Sequence, residues 1–152
     1  MVLKEKEKTV IEDLMTQEKN CAEKYARYGE QAKDSVLKQL FQTLEQEERK
    51  HHDSLDQVLK GSVPACDVND SKGAQYAPSA TYKVADESAE KKNDCFLATD
   101  CIGTEKLVSS EYNSNVFTFS DPALRKLLAD IQVEEQNHAE MLYKYKTVNG
   151  MA

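Results

Sequence analysis

Residues 47–51 read Glu47-Glu48-Arg49-Lys50-His51, and residues 134–138 read Glu134-Glu135-Gln136-Asn137-His138. The two stretches stand 87 positions apart, and the same offset aligns residues 11–58 with 98–145 without a gap. Eleven of these 48 pairs are identical, where composition alone gives about three. They include Glu18/Glu105, Tyr25/Tyr112, Asp34/Asp121, Glu48/Glu135 and His51/His138. Two hairpins sharing a heptad pattern by chance would match apolar types, not specific Glu, Tyr and His. The chain therefore reads as two copies of one unit.

Each unit reads as two helices joined by a tight turn. In the second, Asp121-Pro122 is a helix start, with Asp as N-cap and Pro at the first helical position, where its missing N–H costs nothing. Asp34-Ser35 is the counterpart. The pattern predicts helices over Leu3 to Gln31, Ser35 to Lys60, Asp86 to Phe117 and Pro122 to Val148. Short turns force antiparallel pairing within each hairpin. Between the hairpins, Gly61 to Ala85 holds Pro64 and Pro78 and shows no sustained helical period. A segment that long can span the full length of a bundle, which favours a single all-α, four-helix domain over 1–152 in up-down-down-up order. Tyr76 and Tyr82 in the crossover are expected to pack on the bundle or on a second subunit of a homodimer.

Ionisable residues fall where a core should be. The last helix places Leu124, Leu128, Ile131, Glu135, His138, Leu142 and Tyr145 at alternating steps of four and three, the seam of a packed helix. The second repeats this with Leu37, Phe41, Leu44, Glu48, His51, Leu55 and Val58. The first and third seams each add one carboxylate, Glu18 and Glu105. Counted from turns near Lys33 and Ser120, all four glutamates are fifteen residues from their turn, about 22 Å at about 1.5 Å per residue. Glu18, Glu48, His51, Glu105, Glu135 and His138 are thus expected at one level. Four carboxylates buried together require cations. Two divalent transition-metal ions supply +4, and the imidazoles complete the coordination. This is the Glu plus Glu-x-x-His arrangement of di-iron and di-manganese carboxylate bundles. Iron or manganese suits such donors, and zinc can occupy the site in purified protein. Glu47, Glu134 and His52 fall off the seam and are expected to be solvated or to stand behind the ligands. Tyr25 and Tyr112 read either as donors to ligand carboxylates or as plain core aromatics.

Composition agrees with a helical, soluble class: 31% charged residues, mean hydropathy -0.70, five Gly and three Pro in 152 residues. A net charge of -7 argues against nucleic acid or an anionic membrane as partner. Cys21, Cys66, Cys95 and Cys101 show no CxxC spacing and are expected as reduced thiols. Met1 to Lys8 lacks the apolar run of a signal peptide, so synthesis in the cytoplasm is expected.

The stretches Leu14 to Lys19, Thr104-Glu105-Lys106, Asp121 to Arg125, Glu134 to His138 and Asn149-Gly150-Met151 resemble the spore coat F family of endospore-forming bacteria. The carboxylate–histidine pattern is also similar to rubrerythrins and manganese catalases. The resemblance implies a ferritin-like fold, a place in the spore coat or in sporulation, other coat proteins as partners, and oxygen or peroxide as a small substrate. It further implies one His per ion, with Glu48 and Glu135 bridging and Glu18 and Glu105 terminal. The activity would then be an oxidoreductase of peroxidase, catalase or ferroxidase type; the alternative is a structural coat protein with a structural or vestigial metal site. Val108, three residues after Glu105, departs from the further carboxylate usual in rubrerythrins. That departure, with no four-cysteine domain present, weighs against a rubrerythrin-type peroxidase. The chain's end soon after its last helix weighs against a ferritin shell.

Overall fold

A computed structural model describes residues 2–65 and 71–152. Helices α1 (Glu5–Gln31), α2 (Ser35–Leu59), α4 (Ala89–Asn115) and α5 (Pro122–Val148) form an all-helical bundle, and α3 (Ser71–Gln75) lies in the crossover. A 3-10 turn, Val116–Thr118, follows α4. No strand occurs among the described residues, and no helix is long and apolar enough to cross a membrane.

Local chemistry sets the helix ends. Asp34 caps α2 by accepting the Val36 N–H, and Asp121 caps α5 by accepting from Ala123 and Leu124, with Pro122 following. The third long helix starts at Ala89, not Asp86: Asp86 accepts the Ser88 N–H, and Ser88 in turn caps α4 by accepting from Lys91. Its end is also earlier than the pattern predicts, because Val116–Thr118 tightens into the 3-10 turn. At the far end of α5, Gly150 takes φ 65°, while Met151 N–H reaches the carbonyl of Lys146, a Schellman-type stop open to glycine without steric cost.

Within each hairpin the helices pack along their length, α1 on α2 and α4 on α5, with thinner contacts of α1 on α4 and α2 on α5. Lys24 reaches Thr104 and Asp100, Tyr28 reaches Asp100, and the N–H groups of Lys33 and Asp34 donate to Asp94. Rising numbers on α1 meet falling numbers on α4, so these two helices are antiparallel. Tyr145 donating to Asp34, and His138 lying against Glu48, say the same of α5 and α2.

The crossover is pinned to the bundle by both of its tyrosines. Tyr76 packs against the apolar core, and Tyr82 donates to the carboxylate of Asp94. The Asn149 side chain, fully buried, accepts from the N–H groups of Thr81 and Tyr82. Cys21, Cys95 and Cys101 are unpaired thiols, the first and last buried; Cys66 lies outside the described residues. Burial pushes the Cys21 and Cys101 thiols up, keeping them protonated.

The apolar core has two parts. One gathers Ile11, Leu14, Leu55, Val58, Leu124 and Ile131; the other gathers Leu37, Phe41, Leu44, Leu97, Leu142 and Tyr145. Along α2 and α5 the buried residues between the two parts are Glu48 and His51 on α2, and Glu134, Glu135, Asn137 and His138 on α5.

Candidate metal centre

At that waist the structure brings all six expected side chains together, each with at most 3% of its surface exposed. Two groups result, Glu18, Glu48, His51 and Glu135 in one, and Glu48, Glu105, Glu135 and His138 in the other, with donor atoms in each within 4.8 Å of one another. Each group is able to hold a metal ion. Glu48 and Glu135 belong to both.

The histidines enter alike. Nδ1 of His51 lies 3.0 Å from Oε1 of Glu135, 3.2 Å from Oε2 of Glu48 and 3.6 Å from Oε2 of Glu18. Nδ1 of His138 lies 3.0 Å from Oε1 of Glu48, 3.6 Å from Oε2 of Glu105 and 4.0 Å from Oε2 of Glu135. One ring nitrogen carries at most one proton and cannot donate to three acceptors at once. The rings stack, centroids 5.7 Å apart and 14° from parallel.

Four carboxylate oxygens at the centre, Glu18 Oε2, Glu105 Oε2 and both oxygens of Glu135, are buried without a hydrogen-bond partner. Orphaned buried acceptors are costly and uncommon. All four lie in the two groups. Oxygen and imidazole donors converging this way fit a divalent transition-metal ion.

The electrostatics without metal follow from burial and crowding. Burial, then the charge of Glu105, pushes the Glu48 carboxyl up to about 8. Burial, with the charges of Glu48, Glu105 and Glu18, pushes Glu135 well above the carboxylate range. For Glu105 burial works upward but is outweighed by the facing Glu135 carboxyl and the charge of His138, which hold it at about 2. Glu18 is likewise lowered, with His51 overcoming burial. Burial disfavours charge on His138, yet Glu105 and Glu48 raise it to about 10. Glu18, Glu134 and Glu135 raise His51 in the same sense.

Three supporting contacts were not fixed by spacing alone. The Tyr25 hydroxyl donates to Glu105, and the Tyr112 hydroxyl donates to Glu18. Each tyrosine therefore serves the opposite hairpin, not the glutamate two turns back on its own helix. Glu134 is buried against Nε2 of His51, which excludes the solvated alternative for it. Spacing sets Glu134 four residues before His138, as Glu47 stands before His51, and gives no pointer to His51. Glu47 and His52 are only partly buried.

Residues 93–152 match the Coat F domain. The match covers most of α4 and all of α5, so it holds Glu105, Glu135 and His138 but not Glu18, Glu48 or His51. Neither curated proteins nor solved structures give a match.

Proposed function

Because the α4–α5 hairpin carries the Coat F domain, we propose that this chain is a spore-coat-associated protein whose bundle holds two divalent transition-metal ions, iron or manganese. Its fold on this reading is ferritin-like, up-down-down-up, which the antiparallel contacts of α1 with α4 and of α2 with α5 support. The observation that carries the proposal is the pair of imidazole nitrogens, each facing three buried carboxylate oxygens, with Glu48 and Glu135 shared between them.

In this reading His51 and Glu18 would hold one ion, and His138 and Glu105 the other. Glu48 and Glu135, which belong to both groups, would be shared between the ions. Bound there, iron or manganese would supply redox chemistry toward oxygen or peroxide. The two apolar halves of the core exclude water from both ends of the site. Tyr25 and Tyr112 fix the orientation of the two terminal glutamates, and burial keeps both phenols protonated as donors.

A second reading, a coat building block with structural metal, is favoured by the enclosure of the site. Among the described residues, surface cavities of about 180 to 440 Å³ lie elsewhere, and none of the six ligand residues lines them. Metal analysis after iron or manganese reconstitution, paired with a peroxide-consumption assay, tests both. Two ions per chain are expected, lost in Glu48→Ala combined with Glu135→Ala while helicity survives. Turnover supports the oxidoreductase, bound metal without turnover supports the building block, and no bound metal sinks the site.

A further inference from the structure

The repeat makes Glu47 and Glu134 equivalent, each one residue before a proposed ligand glutamate and four before a proposed ligand histidine. The fold treats them differently. One oxygen of Glu134 meets Nε2 of His51, and the other lies 3.3 Å from Nζ of Lys72. Glu47 is engaged by Lys50 at 2.8 Å and by the same Lys72 at 3.2 Å. Lys72 belongs to α3, in a crossover that occurs once in the chain, so the duplication supplies no second copy of it.

The short helix is held firmly against α5. Gly73 N–H donates to Oδ1 of Asn137 at 3.0 Å, and Nζ of Lys144 donates to the carbonyls of Gly73 and Ala74 at 2.6 and 2.9 Å. A Cβ on Gly73 would stand 2.5 Å from Oε2 of Glu140. The backbone approaches this closely because the residue is glycine. Lys72 is thereby placed over the groove between α2 and α5, where it contacts both glutamates.

We infer that Glu134, steered by Lys72, makes the two metal positions unequal, tightening the ion beside His51 relative to the ion beside His138. The inference rests on the di-metal reading above. An imidazole whose far nitrogen donates to a carboxylate is fixed in tautomer and orientation and becomes a more basic ligand through its near nitrogen. Glu134 is a positioning residue, acting on the ion through His51.

The test is titration of manganese(II) into the metal-free full-length protein, counting free ion by electron paramagnetic resonance. Wild type is expected to bind in two steps, and His51→Ala to remove the tighter one. Glu134→Gln keeps the size and loses the carboxylate; it should weaken the tighter step by about 10- to 100-fold and move the other by less than about threefold. Glu47→Gln should move neither step by more than that, Glu134→Asp should recover part of the loss, and Lys72→Met, at an exposed position, should shift the tighter step by less. Equal effects of Glu134→Gln and Glu47→Gln, no effect of Glu134→Gln, or its loss of helical signal would overturn the inference and leave the di-metal reading standing. A wild type that takes up no manganese would overturn both.

Discussion

Loading the site with divalent ions should expel about four protons for each pair of ions bound. The directions of the pKa shifts favour protons on Glu48 and Glu135 and a second proton on each imidazole in the metal-free site, with Glu18 and Glu105 ionised. Two imidazolium charges then offset two carboxylates. With two ions in place, +4 offsets four carboxylates around neutral imidazoles, so the exchange of protons for metal leaves the layer's net charge unchanged. Four protons at about 1.36 kcal/mol per pH unit each make the joint affinity for the pair strengthen by about 5.4 kcal/mol per pH unit. Above the Glu48 value of about 8 the count should fall toward three. Calorimetric titrations in buffers of contrasting protonation enthalpy read the number directly. Release of fewer than about two protons per pair near neutral pH would refute this charge assignment.

The same shifts fix how metal-free stability changes with pH. Glu48 and His138 are raised from ordinary values of 4.5 and 6.5. Their contribution is full below those values and drains away as pH climbs through about 8 and about 10. Glu105 behaves oppositely: its contribution is present above 4.5 and is lost only as pH falls through about 2. Metal-free protein should therefore lose stability from about pH 4.5 upward, and more steeply once the histidine contribution also drains above about pH 6.5, whereas added metal should stabilise it increasingly over the same range.

Tyr112→Phe should weaken the ion beside His51 and Tyr25→Phe the ion beside His138, each by about 10-fold or more, read in the same manganese titration; both changes acting on one step would contradict the crossed hydrogen bonds. Asp34→Ala removes the α2 cap and the acceptor for Tyr145 and Thr81. It should cost about 2–4 kcal/mol in denaturant melts while metal stoichiometry is kept, and a loss under about 0.5 kcal/mol would show that the contacts are incidental.

The helices were legible where capping chemistry is explicit. Asp121-Pro122 marks the start of α5, and Asp34-Ser35 that of α2. The start of α4 was not, because its exposed face carries Phe96 and Leu107 and gives no clean amphipathic edge, so the pattern begins at Asp86 where the structure caps the helix with Ser88. Convergence of the six ionisable side chains could be read from height alone, since position along a helix is linear in residue number. Which hairpin each tyrosine serves, and that Glu134 turns to His51, depend on the rotation of one hairpin against the other. A repeat found within the chain carries no record of that rotation. Asp94, which ties the α1–α2 turn to α4 and the crossover, was invisible for the same reason.

Each of the two four-residue groups takes three members from one hairpin and one from the other. The backbones of the two hairpins approach each other more sparsely than the helices within either hairpin do. Ions held there would act as rivets across the plane between them. If one hairpin lifts from the other below the free energy of global unfolding, hydrogen exchange on the metal-free protein would resolve that opening as a separate unit. Bound ions would raise its free energy toward that of global unfolding, so metal would alter the cooperativity of the bundle more than its shape.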